Sequence, residues 1–195
     1  MTSANKASIV ILISGRGSNM KSIVEAIKTG SLDTNVAAVI SNRPDAAGLD
    51  YAKQENIPTA VIDHKQFASR ELFDQAMAKE IDSYTPNLVV LAGFMRILTT
   101  EFVEHFAGKL INIHPALLPK FKGLNTHQRA IDAGEKEHGA SVHIVTPELD
   151  DGPVVLQARV PVLDDDTADT LAARVLEQEH SLYPRAIAQL ITENK

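Results

Sequence analysis

Short aliphatic and β-branched runs alternate along the chain with longer stretches whose apolar positions recur every three or four residues. Ser8–Ser14 (SIVILIS) is apolar at five successive positions, the pattern of a parallel strand covered on both faces. Residues 19–29 place Met20, Ile23, Val24 and Ile27 at helical spacing. The same reading predicts strands at 35–41 (NVAAVIS), 59–62, 88–92 (LVVLA) and 110–114 (LINIH). Helices are predicted at 46–55, 70–83, 100–106 and 127–133. Two more strands follow at 140–145 and 154–160, antiparallel because the connection between them is short. A long helix runs over 167–193 with Leu171, Val175, Leu176 and Leu182 on its apolar stripe, and Pro184 is expected to kink or divide it. Strand and helix alternate over the first 115 residues, which predicts an α/β doubly wound, mostly parallel sheet with helices on both faces.

Composition adds bounds. At 195 residues the chain is expected to form a single domain spanning 1–195, with no repeat, low-complexity tract or linker. The net charge of −6 argues against a broad nucleic-acid surface, while leaving room for a local anion site. Cysteine is absent, which excludes a disulfide framework and a thiolate nucleophile. No stretch approaches the roughly 20 apolar residues that span a bilayer, and no signal-peptide pattern opens the chain. These features predict a cytoplasmic protein without membrane partners.

Three segments carry candidate chemistry. Ser14-Gly15-Arg16-Gly17-Ser18-Asn19 joins the first strand to the first helix. Glycines there allow close backbone approach, and the free amides of a helix start attract a phosphate. The bland alternative is a tight turn with Ser18 or Asn19 capping the helix. The dinucleotide fingerprint is incomplete, because position 20 is Met where a third glycine is required. In Asn112-Ile113-His114-Pro115, the alternation of a strand puts Asn112 and His114 on one face, at the carboxyl end where α/β sheets bind ligands. An amide beside an imidazole can stabilise an oxyanion and deliver a proton; a structural hydrogen-bonded pair is the alternative. In Glu148-Leu149-Asp150-Asp151-Gly152-Pro153, a carboxylate can orient a histidine and favour its charged form, or simply make a turn. Spacing does not choose between Asp150 and Asp151. The histidines show no metal-ligand spacing, and no metal is expected.

Taken together and in order, these motifs resemble the phosphoribosylglycinamide formyltransferases. The matching stretches are 11–19 (ILISGRGSN), 91–98 (LAGFMRIL), 111–119 (INIHPALLP), 137–143 (EHGASVH), 148–153 (ELDDGP) and 178–180 (QEH). Ala116, where the family often has serine, and Pro147 depart from the pattern.

The resemblance implies a Rossmann-like formyltransferase fold. It also implies transfer of a formyl group from 10-formyltetrahydrofolate to the amine of 5-phosphoribosylglycinamide in purine biosynthesis, by direct attack. It assigns the catalytic positions to Asn112, His114 and Asp150. Gly17, Ser18, Asn19 and Glu179 would bind the ribonucleotide. Arg70, Met95, Arg96, Ile97, Leu98 and Asn112 would bind the folate, with an arginine suited to its carboxylate tail. The expected assembly is a monomer or homodimer acting on small molecules. Formyltetrahydrofolate hydrolase is the nearest rival, but its extra N-terminal regulatory domain would have no room before Ser8. A tRNA formyltransferase would need a basic C-terminal domain, and a non-catalytic binder would lack convergence of the three polar side chains.

Overall fold

The computed structural model describes residues 6–193. Seven strands form one sheet: β1 (Ser8–Ile13), β2 (Asn35–Ser41), β3 (Thr59–Val61), β4 (Leu88–Leu91), β5 (Leu110–His114), β6 (Glu137–Ile144) and β7 (Val154–Pro161). Their order is β3-β2-β1-β4-β5-β6-β7. The first five are mutually parallel, while β6 runs antiparallel to β5 and β7 antiparallel to β6. The helices are α1 (Ser18–Lys28), α2 (Gly48–Gln54), α3 (Arg70–Asp82), α4 (Thr100–His105), α5 (Thr126–Asp132) and α6 (Ala168–Glu193).

The unbroken apolar run of β1 is explained by its burial on both faces. Ile9, Ile11 and Ile13 pack into one core with α1, α2 and α6, while Val10 and Leu12 pack into the other with α3 and α4. Strand order reverses direction between β1 and β4. The loops leaving the carboxyl ends of those two strands therefore flank a crevice, the place where open α/β sheets take ligands.

Two expectations need correction. The sixth strand begins at Glu137, three residues earlier than its apolar pattern indicates. The cause is Gly139, a poor strand former that is needed here: a Cβ at that position would lie 1.9 Å from the carbonyl oxygen of Ala158 on β7. Pro184 does not divide the last helix, which is continuous over 26 residues. An interior proline costs about 3 kcal/mol. Against it stand the buried Leu171, Val175, Leu182, Ile187, Leu190 and Ile191, each contributing roughly 1.5–3 kcal/mol on burial, together with Tyr183. Tyr183 adds a hydrogen bond, donating its hydroxyl to the carbonyl of Leu91 at 2.7 Å, just where β4 ends.

Candidate active site

The loop after β1 enters α1 without a side-chain cap. Gly17 is the N-cap, in the left-handed region at φ 70°, and a Cβ there would sit 2.8 Å from Cε of Met20. Glycine takes that conformation without strain, and a side chain there would also have to push the end of Met20 aside. Ser18 and Asn19 are the first helical residues, and neither caps the helix, so its first amides stay free for an anion. The buried Asn19 instead donates its amide to Oε2 of Glu179 on α6, at 2.8 Å. Burial pushes the Glu179 carboxyl above its ordinary range, and the Asn19 hydrogen bond works against that push. The structure thus brings Gly17, Ser18, Asn19 and Glu179 together.

Asn112 and His114 lie on the same face of β5, as alternation requires, and β6 lies beside them. Across this antiparallel pair Asn112 faces His143, and His114 faces Ser141. His114 is buried, and its Nε2 donates to the carbonyl of Phe121 at 2.8 Å. That acceptor fixes the hydrogen on Nε2, so Nδ1 is the nitrogen that can exchange a proton. Nδ1 lies 3.5 Å from Oδ2 of Asp150, close enough for electrostatic attraction once the ring is protonated but too long for a good hydrogen bond. Asp150 itself holds a left-handed backbone, φ 50°, and its Oδ2 accepts the Gly123 amide at 2.9 Å. Asp151, the alternative left open by spacing, points elsewhere and pairs with the ammonium of Lys122.

His143 takes part in this cluster although sequence reasoning gave it no role. Its Nδ1 donates to the carbonyl of Ile144 at 3.1 Å, and its Nε2 accepts from the Asn112 amide at 3.4 Å. Burial lowers its pKa, which keeps the ring neutral and able to accept. One N–H of Asn112 is engaged in this way, and the other remains for a ligand. The signal available in the sequence was a histidine set in the apolar run of the sixth strand, but only the register shows what it faces. The Phe121 carbonyl and Gly123 amide left no such signal, because they are backbone groups of a turn.

A cleft of about 160 Å³ opens beside these groups. Its apolar walls include Leu91, Phe94, Ile97, Leu98 and Val103, and its polar edge carries Asn112, His143 and Asp150. Such a lining suits a flat heterocycle with a few hydrogen-bonding edges. Arg96 reaches the cleft, its guanidinium over the Phe73 ring at 5.6 Å. Met95 is 72% exposed and is not among the lining residues, and Arg70 stands exposed at the start of α3, also outside the lining. A roomier groove of about 340 Å³ between α3 and α4 lies away from all three polar side chains of the cluster.

Behind the cluster a second pair of histidines meets, with His138 Nε2 3.2 Å from His127 Nδ1. Burial, with the neighbouring His127, holds the His138 pKa down at about 4, against 6.5 for an ordinary histidine. On acidification the unfolded chain therefore takes up this proton before the folded one does. The neutral ring stabilises the fold fully above pH 6.5, and that contribution is lost as pH falls through 4, by about 3 kcal/mol in all. Urea unfolding of wild type and His138→Gln at pH 7 and pH 4.5 checks this. The variant is expected to lose distinctly less stability between the two pH values; an equal loss would refute the assignment.

Comparison with known proteins agrees with this geometry. Residues 7–187 match the formyl transferase family model. The phosphoribosylglycinamide formyltransferase of Escherichia coli is 54% identical over 180 residues, 92% of this chain and 85% of that protein. That of Haemophilus influenzae is 49% identical, over 92% and 84% respectively. The structure of the Coxiella burnetii phosphoribosylglycinamide formyltransferase superposes with a TM-score of 0.90 at 52% identity, covering 94% of this chain and 86% of that one. With its doubly wound sheet, its Asn-His-Asp cluster at the carboxyl end of that sheet and a family match over nearly its whole length, the chain belongs to the formyl transferase family.

Proposed function

We propose that this chain, as a single catalytic domain of the cytoplasm, moves the formyl group of 10-formyltetrahydrofolate to the primary amine of 5-phosphoribosylglycinamide. The observation that carries this reading is the cluster of Asn112, His114 and Asp150: Asn112 and Asp150 line an apolar cleft, and His114, on the same strand face as Asn112, lies 3.5 Å from Asp150. The uncapped start of α1 lies across the same crevice, at the strand-order reversal. One half suits a pterin and the other a phosphate.

The geometry supports the roles that the family resemblance implies. The amine nitrogen adds to the formyl carbon, a C–N bond forms, and negative charge grows on the formyl oxygen. Asn112 donates its free N–H to that oxygen, a contact worth most as the charge develops. His114, protonated at Nδ1, donates to the same region and carries the proton that must pass from the attacking amine to the departing folate nitrogen. Asp150 faces the imidazolium and neutralises its charge in a buried setting. The amides of Gly17, Ser18 and Asn19 hold the phosphate, and Glu179 contacts the rest of the ribonucleotide. Arg96 and the 95–98 backbone bind the folate, and Arg70, which stands outside the cleft, is assigned to its carboxylate tail by the family resemblance alone.

The discriminating assay supplies 10-formyltetrahydrofolate with and without 5-phosphoribosylglycinamide. Formyl loss only when the amine is present is expected. Equal loss in its absence would overturn the transferase in favour of the hydrolase.

A further inference from the structure

The segment that lines the folate side of the cleft, residues 94–99, belongs to no helix or strand. Among the described residues, the backbone amides of Arg96, Ile97 and Leu98 make no hydrogen bond to protein. A loop without its own backbone ladder takes its shape from whatever grips it. Two buried side chains do so, one at each end. The hydroxyl of Ser14, at the end of β1, accepts the Met95 amide at 2.8 Å and donates to Oδ1 of Asn42 at 2.6 Å. Oδ2 of Asp74, on α3, accepts the Thr99 amide at 2.6 Å.

Asp74 is the more telling of the two. It is 2% exposed, its other oxygen has no partner, and it enters no ion pair among the described residues. Burying a carboxylate without a cation is costly. Its one strong contact is a charge-assisted bond to the last amide of this loop. Phe73, the preceding residue, lies beneath Arg96 in the middle of the same segment.

We propose that Ser14 and Asp74 are positioning residues that clamp the 95–99 backbone at its two ends, holding the unbonded amides between them in the arrangement that binds the pterin. Neither side chain touches the reacting atoms. The proposal rests on the folate reading above. It also gives Ser14 a place between the two substrate loops, since the residue that follows it opens the phosphate-binding turn.

The test uses the purified full chain and steady-state kinetics in both substrates, with tetrahydrofolate as the calorimetric binding probe. Leaving a loop amide without its acceptor is expected to raise the folate KM and the tetrahydrofolate Kd about tenfold in Asp74→Ala and in Ser14→Ala. In Asp74→Ala kcat and the ribonucleotide KM stay within about twofold, a split that general loss of structure would not produce. Asp74→Asn keeps an acceptor oxygen and is expected to restore near wild-type values. In the double variant the second release acts on a segment already loosened, so the loss is smaller than the product of the two singles. Unchanged folate KM in both single variants overturns the clamp, as does a fall in kcat with both KM values unmoved. If Asp74→Ala does not fold, Ser14→Ala and Asp74→Asn decide the matter by the same criteria. Failure of the wild-type protein itself to bind tetrahydrofolate would instead reject the underlying folate assignment.

Discussion

His114→Ala is expected to lower kcat by about two to four orders of magnitude while tetrahydrofolate binding changes by no more than a few-fold. The imidazole sits against Asp150 and the Phe121 carbonyl, not in the apolar wall of the cleft, so removing it takes away proton delivery and charge stabilisation and leaves the heterocycle's contacts in place. A thermal unfolding curve should show a folded variant. Single-turnover rates with both substrates bound are the cleanest measurement, because they separate the chemical step from binding. Turnover within tenfold of wild type would remove His114 from the proton-transfer role.

Asn112→Ala should cost about 10²–10³ in kcat, the range found when one donor to a developing oxyanion is deleted. The substitution also strips His143 of its Nε2 partner, so the folded variant carries a second disturbance. Asn112→Asp separates the two effects. It nearly preserves shape but replaces a donor with a second carboxylate near Asp150, and it is expected to be at least as slow as the alanine variant. Should Asn112→Asp retain a tenth or more of wild-type kcat, the amide would not be the oxyanion donor.

Much of this arrangement is legible in the amino-acid sequence. Strand 35–41 is bounded by polar Thr34 and Asn42, and strand 110–114 by Lys109 and the strand-breaking Pro115, so local signals set their limits, and both coincide with the observed spans. Where a local rule is broken for a tertiary reason, the reading drifts. Gly139 hides the first turn of pleat in β6 because its value lies in contact with β7, and Pro184 looks like a breaker because the burial that outweighs it comes from the sheet. The same divide runs through the site. Asn112 and His114 share a strand, so their common face follows from period-two alternation. Asp150 and Asp151 are indistinguishable by spacing, and it is the left-handed backbone of Asp150 that turns one carboxylate towards His114 and the next towards Lys122. His143 belongs to a different strand, and its relation to Asn112 exists only in the cross-strand register.

That register has a consequence for how the protein can vary. Asn112, His114 and His143 all hang from two neighbouring strands whose ladder sets their separations, and a ladder shifts only in whole steps, each of which would turn every side chain to the opposite face. Asp150 arrives on a turn, tied by one amide of a second turn. Donors and shuttle are therefore locked in stepwise increments, while the counter-charge can be retuned continuously. Relatives that adapt to a new acid or temperature regime have one inexpensive place to alter, the pair of turns at 121–125 and 146–152, with the stranded half carried over intact.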